Sequence, residues 1–364
     1  MPRLRNKALW IGGLRLRTIP ASLAPVILGG CSAWAVLTQT GGWPMRCLSG
    51  VSGACSAPWY SVPGALDRFV GVFALCLGVA LFLQTAVNFA NDYSDGVRGS
   101  DSARGDDERR SGKPQRLTAS GLVKPRSVLL AAAAAALAAC LCGLAIVVIT
   151  RQYWLVVVGV LCLLSGWFYT GGRHPYGYVG LGELFVFLFF GLVATLGTEF
   201  AICQSLDGLG VGGVSTFDFA GPGQDGSWDI FAALRGQYGI DRTGVIAAVC
   251  AGLYSVIILM VNNLRDVEDD TRSGKRTLAV RLGARSARLL LVVSIVVALA
   301  LSAMLFLAVW WPWGLVVWLP LIPASFATVH AIRAGDYPRS LGGAGRQLLV
   351  FTALIVVATV LASV

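Results

Sequence analysis

Nine stretches of this chain run apolar for long enough to cross a bilayer, at roughly 18–40, 69–90, 127–149, 153–171, 181–203, 243–263, 289–310, 312–333 and 347–363. A spanning helix needs about 20 mostly apolar residues, so the pattern predicts an all-α membrane protein with about nine transmembrane helices. Two separations, near Arg151 and Trp311, are short enough to require tight hairpins between antiparallel helices. The first apolar run follows Arg3, Arg5, Lys7, Arg15 and Arg17. It is long and lacks a small-residue cleavage site, so it reads as an uncleaved first helix rather than a signal peptide.

Composition agrees with lipid as the main solvent. Hydrophobic residues make up 56% of 364 and charged residues 13%, with mean hydropathy +0.70, whereas soluble domains carry roughly 25% charge. In water such a chain would expose large apolar patches. The net charge is +10, but a nucleic-acid binder would place it on a soluble basic domain. Here the basic blocks alternate with the apolar runs, which points to anionic headgroups and an anionic substrate instead, and to no nucleic acid.

The charges also orient the chain. With the N-terminus in the cytoplasm, 24 of the 29 Lys and Arg residues fall on the inside and Arg46, Arg68, Arg151, Arg235 and Arg242 on the outside. That split follows the positive-inside rule and depends on an odd number of spans. Two long outside segments, 41–68 and 204–242, are rich in Gly, Ser and Pro and carry no chemistry of their own. Most of the nine cysteines lie in apolar runs as small core residues. Cys47 and Cys55 share an outside loop, and the sequence leaves their pairing open.

The chemistry sits where the second and sixth runs enter the cytoplasm, as "NDYSDGVRGSD" and "NNLRDVEDD". Each loop opens with Asn and places Asp four residues on, as Asn91–Asp95 and Asn262–Asp266. Each then adds another Asp, Asp101 or Asp270, and turns basic. Residues four apart share a helix face, so Asn262, Asp266 and Asp270 are expected as a stripe on the sixth helix, with Asn91 and Asp95 alike on the second. Stacked carboxylates repel unless a cation offsets them. All-oxygen ligands favour Mg²⁺, which takes one or two carboxylates and completes its shell with water and substrate phosphate. The competing reading is a solvated charged loop, and the matching of two loops on one side argues against it. Transport is another alternative, but transporters put their ionisable groups near the midplane, not at one face.

In these motifs, and in "FYTGGRHPYGYVGLGELFVFLFFGLVATLGT" at 168–198, the chain resembles the UbiA superfamily of intramembrane aromatic prenyltransferases across about 10–363. The 168–198 stretch resembles the branch that prenylates 1,4-dihydroxy-2-naphthoate. The resemblance implies one membrane domain over 1–364, a helical bundle around a central cavity, and a cytoplasmic active site in the cell (inner) membrane. It implies Mg²⁺ held by Asp95, Asp101, Asp266 and Asp270 beside Asn91 and Asn262, and diphosphate held by Lys275, Arg116, Arg276 and Arg265. Many members space the first-loop carboxylates as Asp-x-x-x-Asp; here Gly99 stands at that position and Asp101 serves instead.

The implied reaction moves a polyprenyl group from polyprenyl diphosphate to dihydroxynaphthoate, releasing CO₂ and diphosphate and giving demethylmenaquinone. Its allylic cation needs a dry, aromatic-walled cavity, for which Phe168, Tyr169, Tyr176, Tyr178 and Phe185 are candidates; an interfacial aromatic belt is the alternative. The acceptor is expected to meet Arg173 or His174 through its carboxylate, and Tyr169 and Tyr176 through its ring. Asp95, Asp266 and the intramembrane acid Glu183 are the expected catalytic side chains. Other acceptors, such as 4-hydroxybenzoate, homogentisate or a non-aromatic alcohol, remain alternatives.

Overall fold

A computed structural model describes residues 10–15, 18–40, 58–98, 117–118, 123–173, 175–207, 209, 211 and 239–363. Asp101, Arg116, His174, Cys47 and Cys55 lie outside the described residues.

The described elements are helical. α1 is Ile19–Thr40, α2 Ala65–Arg98, α3 Pro125–Thr150 and α4 Leu155–Phe168. α5 is Gly182–Ser205, with a π-helical turn at Phe187–Val193, and α6 is Arg242–Arg265. The short α7, Val267–Arg272, leads to α8 at Leu278–Val309, which breaks at Gly283. α9 is Gly314–Arg333, and α10 is Tyr337–Ala362. Eight of these helices are long and apolar enough to cross a membrane. The ninth expected span is the 14-residue α4, whose rise of about 21 Å falls short of the roughly 30 Å hydrocarbon core.

Length matters most in α2. Its 34 residues rise about 51 Å, about four turns more than the hydrocarbon core needs. The excess carries Asn91, Asp92 and Asp95 beyond the apolar run while keeping them on helical spacing. α6 starts where the Asp241 carboxylate accepts from the Gly244 N–H at 2.7 Å, satisfying one of the orphan amides of the first turn. It stops at Asp266, whose φ of −98° and ψ of 9° leave the helix.

The bundle has a centre and a rim. α1 and α6 are mostly buried, while α2 and α3 show most of their apolar surface. α6 packs on α1, α5, α8 and α10, and its Tyr254 and Ile257 sit in the main core with Phe306 and Phe351. Contact with α5 is close because both helices carry glycine there: a Cβ on Gly191 would stand 2.6 Å from Gly252 Cα. Such small-residue crossings let helices associate in lipid, where no hydrophobic force drives them together.

Candidate functional site

The site assembles from three segments distant in the chain. Asp95, near the end of α2, is buried and accepts a hydrogen bond from the Tyr178 hydroxyl at 2.7 Å. Lys275, in the turn after α7, places its Nζ 3.8 Å from Asp95 Oδ1 and 4.6 Å from the centre of the Tyr178 ring. The Arg276 N–H donates to the Tyr178 carbonyl at 2.8 Å, and the Lys275 N–H donates to the Asp270 carbonyl at the same distance. Both acidic motifs and the 168–198 motif therefore meet. Gly180 makes the approach possible: its φ of +81° suits glycine, and a Cβ there would press on Arg281 and on the Arg276 carbonyl.

The expected polar stripe on α2 is present and longer than the motif. Gln84 donates to Asn88 Oδ1 at 3.1 Å, and Asn88 donates to the Leu14 carbonyl at 3.0 Å. Asn91 accepts from Thr170 Oγ1, which ties α2 to the end of α4. Gln84 and Asn88 were not singled out from the sequence. Their signal is an i, i+4 pair of amides in an otherwise apolar run, continuing toward Asp95.

Asp92 was also passed over, and its role is structural. Its Oδ2 accepts from the Leu117 N–H at 3.1 Å and its Oδ1 from the Thr118 N–H at 2.8 Å. Leu117 is fully buried against Phe89, Ala90 and Val128, beside Trp10 and Leu14. The carboxylate next to the site thus anchors the far end of the first acidic loop.

The second motif is less regular than a continuous stripe. The α6 helix ends at Asp266, and α7 resumes at Val267. Backbone bonds from Asp266 to the Asn262 carbonyl at 3.1 Å and from Asp270 to the Asp266 carbonyl at 2.8 Å still keep the four-residue spacing. Asp270 is buried. Asp266 is gripped by Arg265 in a two-pronged pair of 2.8 and 2.9 Å, so Arg265 lies on a carboxylate in this structure. Asn262 turns back to the Ile258 carbonyl at 3.2 Å, and its neighbour Asn263 reaches across to Glu183 Oε1 at 2.8 Å. Arg173 and Arg276 are exposed.

The aromatic residues line up beside the carboxylates. Tyr169 meets Tyr176 edge-on at 5.6 Å, Tyr176 stacks on Phe185 at 4.0 Å, and Phe185 is followed by Phe189 at 6.1 Å. Tyr176 donates to the Ser165 carbonyl at 2.9 Å. Burial pushes the Tyr169 phenol well above its ordinary value, and the charges of Glu183 and Asp95 add to this. Tyr178 is raised too, by burial first and then by Asp95. Both shifts favour the protonated phenol, and Tyr178 donates to Asp95.

The oxygen donors suit a hard cation. Among the described residues no three Asp, Glu, His or Cys side chains gather as a cation cage. Mg²⁺ asks for less, taking one or two carboxylates and finishing its shell with water and substrate phosphate. Asp95 with Asn91 on one side, and Asp266 with Asp270 on the other, fit that demand.

Comparison with known proteins agrees with the geometry. The family model described as UbiA prenyltransferase family matches residues 50–344. The chain is 37% identical to the 1,4-dihydroxy-2-naphthoate octaprenyltransferase of Mycobacterium tuberculosis over 335 residues, covering 92% of this chain and 89% of that protein. It is 28% identical to the enzyme of the same name from Escherichia coli over 321 residues, 86% of this chain and 82% of that one. In fold it resembles the apo UbiA homolog from Aeropyrum pernix K1, with TM-score 0.58 and 14% identity over 92% of this chain and 97% of that chain. It also resembles the Archaeoglobus fulgidus UbiA homolog bound to DMAPP and Mg²⁺, with TM-score 0.51 and 15% identity over 96% and 99%.

Proposed function

This chain belongs to the UbiA prenyltransferase family, and from that premise we propose that it transfers a polyprenyl group from polyprenyl diphosphate to 1,4-dihydroxy-2-naphthoate. CO₂ and diphosphate leave, and the product is the hydroquinone of demethylmenaquinone. The observation that carries this reading is the meeting of Asp95, Tyr178 and Lys275, with relatives of that activity aligned over most of the chain.

The protein is a multi-pass membrane enzyme acting as a single domain over 1–364. The charge asymmetry supports an N-terminus and an active site on the cytoplasmic side of the cell (inner) membrane. When bound, Mg²⁺ neutralises the diphosphate and weakens the allylic C–O bond. Asp95, Asn91 and Asp101 would hold it from the first loop, and Asp266, Asp270 and Asn262 from the second. Lys275 is placed to leave Asp95 for a diphosphate oxygen, joined by Arg116, Arg276 and Arg265. Tyr169 and Tyr176, with Phe185, present aromatic faces to the developing allylic cation. Arg173 and His174 receive the acceptor carboxylate.

The test is turnover of purified protein with dihydroxynaphthoate, a polyprenyl diphosphate and Mg²⁺. The expected product has the mass of the simple adduct less CO₂. Prenylation of 4-hydroxybenzoate or homogentisate in preference would assign a different acceptor.

A further inference from the structure

Glu183 stands at the start of α5, buried. One carboxyl oxygen, Oε1, accepts from Asn263 Nδ2 at 2.8 Å. The other, Oε2, is equally buried and has no hydrogen-bond partner. A buried carboxyl oxygen left unsatisfied is costly and calls for an explanation, of which a catalytic role is one. The neighbourhood is aromatic. A Cβ on Gly182 would touch the Tyr169 ring edge at 3.6 Å and its hydroxyl at 3.9 Å, so the aromatic row begins beside this carboxyl. The charged groups that share the field around Tyr169 are Glu183, Asp95 and Arg15. Asn263 is three residues before Asp266, so the same stretch of α6 serves both the diphosphate side and Glu183.

We propose that Glu183 holds the acceptor's ring-hydroxyl proton during alkylation, and that Asn263 is the positioning residue that turns Oε2 toward that hydroxyl. The inference rests on the dihydroxynaphthoate reading above. The proton passes from the hydroxyl to Glu183 Oε2. The adjacent ring carbon, which bears the carboxylate, bonds to the allylic carbon as its bond to diphosphate breaks, and that electron pair leaves on the diphosphate. The alkylated carbon now carries a carboxylate next to the new ring carbonyl. Loss of CO₂ leaves an enolate oxygen, to which Glu183 returns the proton. The carboxyl ends as it began, and no further reactant is needed.

The test uses the full chain in detergent with dihydroxynaphthoate, a polyprenyl diphosphate and Mg²⁺. Glu183→Gln should lower kcat at neutral pH by about a hundredfold or more, within the range of a general base, while KM for the prenyl diphosphate stays within about twofold. The residual rate should climb about tenfold per pH unit as the hydroxyl ionises in solution, a slope the unmodified enzyme lacks. Asn263→Ala should lower kcat about tenfold, the expected cost of losing one hydrogen bond to a charged group, with the same KM split. A Glu183→Gln enzyme with unchanged kcat, or one that is equally poor at every pH and has lost prenyl diphosphate binding, overturns the proposal. An Asn263→Ala enzyme with unchanged kcat removes the positioning role. Failure of the unmodified enzyme to alkylate dihydroxynaphthoate overturns the underlying reading instead.

Discussion

The Tyr178 hydroxyl and the Asp95 carboxylate, 83 residues apart in the chain, are joined by a 2.7 Å hydrogen bond. It fixes the carboxylate proposed to hold metal against the aromatic loop. Removing the donor should therefore loosen the site without unfolding the bundle. Tyr178→Phe is expected to cut kcat/KM about tenfold, the usual value of a hydrogen bond to a charged group. Membrane accumulation should be unchanged. Steady-state kinetics against prenyl diphosphate concentration checks both, and a variant with full kcat/KM would show the bond to be incidental.

The carboxylates themselves should be indispensable. Asp95→Asn and Asp266→Asn are each expected to lower turnover at least about a hundredfold, because each would remove charge proposed to hold a divalent ion against the leaving group. Exhaustive EDTA treatment should silence the unmodified enzyme, and Mg²⁺ should restore it. Full activity in both variants, or turnover surviving EDTA, would end the metal assignment.

Asp92 should behave differently from its neighbour. Asp92→Ala strips the acceptor from two amides, Leu117 and Thr118, at about 1–3 kcal/mol for each that is left unsatisfied. Thermal unfolding in detergent should begin several degrees earlier, with a smaller drop for Asp92→Asn, which keeps one acceptor. An unshifted midpoint in the alanine variant would show that the anchor is not needed.

The α5–α6 crossing should tolerate no side chain. Gly191→Leu would drive carbon into Gly252 and the Ala248 carbonyl, and overpacking of this kind costs about 1–3 kcal/mol. The expected result is a lower yield of folded protein and an earlier thermal midpoint. Gly197→Ala, on the same helix with open space around its Cβ, is the control that should do neither.

Much of the fold was legible along the chain because lipid imposes one rule on every span. The run of apolar residues around 243–263 became α6 at Arg242–Arg265, and that around 127–149 became α3 at Pro125–Thr150. The rule fails where a helix need not be long: 153–171 shrank to Leu155–Phe168, because its polar and glycine-rich end turns back as the loop that carries Tyr176 and Tyr178 to the site. It fails too where a helix extends past the membrane, as α2 does to Arg98.

By itself the sequence determined the all-helical membrane class, the approximate placement of most apolar helices, and the kinds of residue offered to the site. Those are set by solvation and by spacing along one helix, which are local. Only the tertiary structure decided which of two nearby polar residues does what: Asp95 meets Tyr178 while Asp92 anchors a loop, and Asn263 meets Glu183 while Asn262 bonds its own helix. Asn262 and Asn263 point about 100° apart on one helix, so they cannot both face Glu183, whereas Asp92 and Asp95, three residues apart, share a side of α2 and differ only in what each meets. Which residue meets which partner is set by the rotation of each helix in the packed bundle, a property of the neighbours and not of the segment.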